Sequence, residues 1–258
     1  MSDAPLRIGL QDVRASFREN QKQLAIVKYV GRPLGDLFTP FFYNAGFSAN
    51  QVTYLRCGLM AVAVALVVPM NPAANIAAAA LSFLGFILDC TDGNLARLRR
   101  DTTYFGKYID GLADTLFAWF APAAAGIALS VRTGELYPVL IGVVGSCASL
   151  VTFALRSRLS FAREWMFNQT GPITDVERSA LKRTEQVEKA ARSTYSHVVL
   201  LSPFLLVVPE GTHLYLLSVA LLQIPCDLAA GSAVLRQARI LLSRKRVSIW
   251  DPRYTPKQ

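Results

Sequence analysis

The sequence predicts an all-α membrane protein: a six-transmembrane-helix bundle preceded by an interfacial amphipathic helix. More than half of the 258 residues are apolar, and the mean hydropathy is +0.32. Uninterrupted apolar runs reach about 20 residues, the length at which a helix spans a bilayer. The basic residues also segregate. With spans over 51–70, 73–98, 105–130, 136–155, 193–208 and from 212 onward, 26 of the 27 Lys and Arg fall on one side, leaving Arg132 on the other. The positive-inside rule puts that side, and both termini, in the cytoplasm; a bacterial inner membrane is the expected location. The net charge of +9 is thus a topology signal that also suits anionic headgroups or phosphate-bearing substrates. No nucleic-acid partner is expected.

Residues 1–46 read as a cytoplasmic interfacial segment, 47–245 as the membrane domain and 246–258 as a tail. The first 23 residues hold no apolar core of a signal peptide. Between residues 8 and 46, Val27, Val30, Leu34, Phe38 and Phe41 are interleaved with Lys22, Lys28 and Arg32. That pattern suits a helix or two lying on the inner leaflet, interrupted near Gly31-Arg32-Pro33. The first span stops at Pro69 and the Asn71-Pro72 turn. The second carries Asp89 and Asp92 near its cytoplasmic end. The third opens with Gly106, Asp110 and Asp114, and Pro122 predicts a bend. The fourth ends in Arg156, Arg158 and Arg163, followed by a charged loop to about Lys189 that holds some helix, with Asp175 a candidate N-cap. A Ser202-Pro203 irregularity marks the fifth span; the sixth carries Pro225 and Asp227. Cys57, Cys90, Cys147 and Cys226 are too scattered for a disulfide framework or a zinc site.

Four carboxylates stand out on segments two and three. Asp89 and Asp92 are three apart and Asp110 and Asp114 four apart, so each pair shares a helix face. The polar run from Arg97 to Thr103 reads as a hairpin turn. Folding about Asp101 brings Asp92 level with Asp110, Asp89 nearly level with Asp114, and Ala96 opposite Gly106, small against small. Converging acids repel and are costly to bury, so something positive belongs among them. Two divalent cations, Mg²⁺ or Mn²⁺, are the simplest answer, and hard cations on oxygen ligands suit a pyrophosphate. Gly93 and Gly106 leave room for a nucleotide near the backbone, and Arg97 could reach a phosphate through its planar fork.

Written out, the stretch is Asp89-x2-Asp92-Gly93-x2-Ala96-Arg97-x8-Gly106-x3-Asp110-x3-Asp114. It resembles the CDP-alcohol phosphotransferase family at every fixed position. The resemblance implies transfer of a substituted phosphate from a CDP-linked alcohol to an acceptor hydroxyl, with release of CMP, in phospholipid biosynthesis. It implies Asp89, Asp92 and Asp110 as metal ligands, with Asp114 completing the site and serving as base. Asn50 and Thr53 lie in Ser48-Ala49-Asn50-Gln51-Val52-Thr53, which is similar to a family segment with Pro before the Asn; they are candidate nucleotide contacts beside Asp92, Gly93, Arg97 and Gly106. Relatives with phosphorylated acceptors bind that phosphate through arginines in the region of Arg156 and Arg192. A homodimer and contact with membrane lipid are also implied.

Other readings of the same residues stay open. The acids could pair with Arg97, Arg99, Arg100 and Lys107. Arg156 and Arg192 could serve topology alone, the glycines helix packing, and Asn50 and Thr53 helix capping. Asp227 could line the same cavity as the acids or pair structurally. The donor could be CDP-diacylglycerol, with a phosphorylated polyol such as inositol phosphate or glycerol phosphate as acceptor, or a soluble CDP-alcohol with a lipid or polyol-phosphate acceptor. A cation transporter would use the acids as an ion site, but would carry them near the midplane, often with inverted repeats.

Overall fold

The computed structural model describes residues 7–16, 25–101, 103–170 and 173–242; within them, the side chains of residues 104, 107, 114, 115, 117 and 164–170 lie outside the description. All regular structure among these residues is helical: α1 (Leu10–Ala15), α2 (Arg32–Asn44), α3 (Ala49–Val67), α4 (Pro72–Leu98), α5 (Tyr104–Thr133), α6 (Tyr137–Thr170), α7 (Asp175–Leu201), α8 (Gly211–Ser218) and α9 (Ile224–Leu242). Five helical stretches are long and apolar enough to cross a membrane: Ala49–Val67, Pro72–Leu98, Tyr108–Thr133, Tyr137–Arg163 and Gly211–Leu242. The last joins α8 to α9 through a π-helical turn, Val219–Gln223. The expected span over 193–208 falls on the end of α7 and a 3₁₀ turn, Ser202–Val207, and is not among the five.

Local chemistry sets the helix starts. The Ser48 hydroxyl accepts from the Gln51 amide and the Gln51 side chain accepts from the Ser48 amide, a capping box that begins α3 at Ala49. Ala49 is therefore the first helical residue, a place where proline is favoured and alanine is tolerated. Ser48, rather than Asn50 or Thr53, is the cap. Asn71 caps α4 ahead of Pro72, and Thr103 caps α5 through the Gly106 amide. Gly134, at φ 74°, ends α5 in the left-handed region that suits glycine.

Two expectations change. The charged stretch 156–189, expected as a loop with some helix, holds far more helix than that: α6 continues to Thr170 and α7 starts at Asp175. Its N-cap is Thr174, in a capping box with Glu177, rather than Asp175. Leu159, Leu181, Val234 and Leu241 bury an apolar seam that ties these extensions to α9, giving the polar segment the amphipathic face a helix needs.

The second change concerns the hairpin. α4 and α5 scarcely touch; both pack along α3, which lies between them. The α3–α4 seam is tight enough that a Cβ on Gly85 would strike Met60. α5 runs through Pro122 and packs on α6 at Gly126 and Gly142, where either glycine's Cβ would strike the opposite backbone. α2 packs on α4, with Phe42 and Tyr43 in a core shared with Leu88 and Leu95 of α4 and Val52 of α3.

Candidate active site

Helix geometry brings three of the expected acids together. Asp89 and Asp92 come from α4 and Asp110 from α5, and each offers a carboxylate oxygen within 4.8 Å of the others. Asp92 is buried, while Asp89 and Asp110 are partly open. The side chain of Asp114, one turn beyond Asp110 on α5, lies outside the described residues.

A residue that the sequence reading counts only among the basic residues of segment 1–56 completes the cluster. Arg56 of α3 is 3 % exposed. Its Nη1 donates to Asp89 Oδ1 and to Asp110 Oδ1 at 3.1 Å and lies 3.6 Å from Asp92 Oδ2; its Nη2 donates to the Asp110 carbonyl at 3.3 Å. The signal was present in the sequence: a charge within an apolar span, one turn after Thr53. Thr53 shares that face and donates its hydroxyl to Asp92 Oδ2 at 2.7 Å. The carboxylates thus surround a positive group, and their hard oxygen donors fit a divalent cation in the same place.

Two cavities meet at this cluster. One, of about 510 Å³, is lined by Asn50, Thr53, Asp92, Gly93, Arg97, Gly106 and Asp110, all expected nucleotide or metal residues. Ala96 lines it too, so the small residues expected to let α4 and α5 touch border open space instead. Gly106 is tight: a Cβ there would lie 2.9 Å from Asn50 Oδ1 and 3.0 Å from Thr103 Oγ1, so those side chains would have to shift. Gly93 is looser; its Cβ would meet Arg97 Nη1 at 3.5 Å, an ordinary contact.

The other cavity, of about 420 Å³, is lined by Arg56, Asp89, Arg156, Arg192, Tyr195 and Ser196 among others. Arg156 and Arg192 therefore face the same space as the acids. Arg156 also pairs with Glu188, at 3.3 Å. Asp227 lines neither cavity. It accepts from Ser149 at 2.6 Å, and Gln223 donates to that same Ser149 oxygen at 3.0 Å, an interhelical polar knot that favours the structural reading.

At the α2 side, Asn94 donates to Asp36 Oδ1 at 3.1 Å and to Thr39 Oγ1 at 3.0 Å, while Arg97 donates to Asn94 Oδ1. Burial pushes the Asp36 carboxyl above its ordinary range, against the Asn94 hydrogen bond and the charges of Arg14, Arg32 and Arg97. Sequence reasoning passed over Asp36 because it sits in a segment read for amphipathicity alone.

No curated protein matches the chain. A family model does, over residues 47–224, and it takes in α3, the whole acid-bearing stretch and both cavity-lining arginines. That match and the carboxylate cluster agree, and the chain belongs to the CDP-alcohol phosphatidyltransferase family, a membrane protein of a phosphotransferase lineage.

Proposed function

We propose that the protein moves a substituted phosphate from CDP-diacylglycerol to a hydroxyl of a phosphorylated polyol, inositol phosphate or glycerol phosphate, releasing CMP in phospholipid biosynthesis. The observation that carries this is the position of Arg156 and Arg192. They line a cavity with Asp89, while Asp92 and Asp110 of the same acid cluster line the cavity of Asn50, Thr53 and Arg97. Two guanidinium forks suit an acceptor that brings its own phosphate.

In this reading Asp89, Asp92, Asp110 and Asp114 hold two divalent ions, Mg²⁺ or Mn²⁺, which when bound neutralise the pyrophosphate and polarise the phosphorus under attack. Asn50, Thr53, Gly93 and Gly106 shape the nucleotide cavity, and Arg97 contacts a donor phosphate. Asp114 takes the proton of the acceptor hydroxyl. As its oxygen forms the new bond to phosphorus, the bond to the CMP oxygen breaks and CMP leaves. The bundle crosses the inner membrane six times, the end of α7 supplying the remaining span, with both termini cytoplasmic. α2 lies on the inner leaflet with Leu37 and Phe41, both exposed, towards lipid, and the enzyme works as a homodimer.

The test is CMP release from CDP-diacylglycerol by purified protein against inositol phosphate, glycerol phosphate, inositol, glycerol and serine. Release is expected only with the phosphorylated acceptors. Arg156→Ala or Arg192→Ala is expected to raise the acceptor KM about 10- to 100-fold, the loss of a charge-assisted hydrogen bond. Equal release with serine or unphosphorylated polyols would refute the acceptor assignment.

A further inference from the structure

The amide of Asn94 can be oriented without ambiguity. On its α2 side stand two oxygens. The Asp36 carboxylate can only accept, and the Thr39 hydroxyl has already donated its hydrogen to the Gly35 carbonyl at 2.7 Å. Both therefore demand a donor, and only the Asn94 Nδ2 group can supply one, at 3.1 and 3.0 Å. The carbonyl oxygen of the same amide must then face the opposite way, where Arg97 Nη2 donates to it. Asp36, Thr39 and Asn94 are 5 %, 0 % and 2 % exposed, so water does not compete for these partners. Arg97, at the far end, lines the cavity shared with Asp92, Thr53 and Gly106.

We propose that Asn94 and Asp36 are positioning residues for the CDP-linked donor: α2 fixes the Asn94 amide, and the amide holds the Arg97 fork at the cavity wall. This rests on Arg97 contacting a donor phosphate, as argued above. A guanidinium already tethered at one nitrogen loses less rotamer freedom when a phosphate arrives. Among the described residues Asn94 bonds Asp36, Thr39 and Arg97 and none of the oxygens of Asp89, Asp92 or Asp110, so metal binding is not expected to depend on the tether. Its effect falls on donor affinity and not on the chemical step.

Three substitutions test it: Asn94→Leu, which removes both ends of the tether at similar volume; Asp36→Asn, which keeps shape and one accepting oxygen but removes the charge that strengthens the bond from Asn94; and Arg97→Lys, which keeps charge but loses the fork. The readouts are KM and kcat with CDP-diacylglycerol, the Kd of CDP in the presence of Mn²⁺, the Kd of Mn²⁺ alone, and the thermal midpoint. Asn94→Leu is expected to raise the donor KM and the CDP Kd about tenfold, with kcat and Mn²⁺ affinity within about twofold of wild type. Asp36→Asn moves the same quantities less. In an Arg97→Lys background Asn94→Leu adds nothing further, since the residue it acts through is gone. If Arg97→Lys leaves the donor KM and CDP Kd unchanged, Arg97 is no donor ligand and both readings fall. If Arg97→Lys raises them while Asn94→Leu and Asp36→Asn do not, the tether is refuted and the role of Arg97 stands. A lowered midpoint or kcat with unchanged donor KM would make Asn94 a packing residue and overturn the proposal. Should Asn94→Leu fail to fold, Asp36→Asn and Thr39→Val decide the same question.

Discussion

Replacing Asp92 with asparagine is expected to abolish measurable Mn²⁺ binding and to cut CMP release by about 10²–10³-fold, the cost of removing one preorganised electrostatic contact from a reacting centre. Asp92 is the most buried of the described cluster acids. It touches Thr53 and borders both Arg56 and the cavity of Asn50 and Gly106. An amide there keeps the shape and the Thr53 hydrogen bond but removes the negative charge that draws a cation in. Mn²⁺ titration and a CMP assay on the same detergent-purified sample check it. Asp114→Asn serves as the contrast: as the proposed base, it is expected to lose turnover to a similar degree while retaining at least one bound Mn²⁺. Wild-type CMP release by Asp114→Asn would remove it from the chemistry.

The second large effect is expected at Arg56. Its guanidinium bonds the carboxylate oxygens that a divalent ion would use. Arg56→Met leaves three mutually repelling acids without the counter-ion that holds them among the described residues. Removing one partner of a buried ion pair costs about 3–5 kcal/mol; since Asp89 and Asp110 keep part of their surface open, the low end applies. The metal-free thermal midpoint should fall by about 5–10 °C. Added Mn²⁺ should restore it and bind several-fold more tightly than in wild type, because no tethered cation competes for the same oxygens. An unchanged metal-free midpoint, or weaker Mn²⁺ binding, would show that Arg56 does not act as the resident counter-ion.

Much of this is legible in the amino-acid sequence. Helical spans announce themselves through length and hydropathy, and the spacing of Asp89, Asp92 and Asp110 is a matter of helix period, so the faces they share followed directly. What spacing cannot reveal is which helix lies between two others. The hairpin symmetry about Asp101 was sound arithmetic, but packing inserted α3 between α4 and α5. That packing brings Arg56 of α3 into the cluster, where it pairs with both Asp89 and Asp110. The charged stretch after Leu155 misled for another reason: its apolar seam is sparse, and only contact with α9 makes two helices of it. Asp36 was hidden because its partner, Asn94, occupies an unspecified position of the motif.

The partition between the two cavities has a stereochemical corollary. If, as proposed, the acceptor enters from the cavity lined by Arg156 and Arg192 and CMP leaves into the one lined by Asn50 and Gly106, the reaction is a single direct displacement at phosphorus. Such a displacement turns the phosphorus inside out once. A chirally labelled donor should therefore yield product of inverted configuration, and double-reciprocal plots for the two substrates should intersect rather than run parallel.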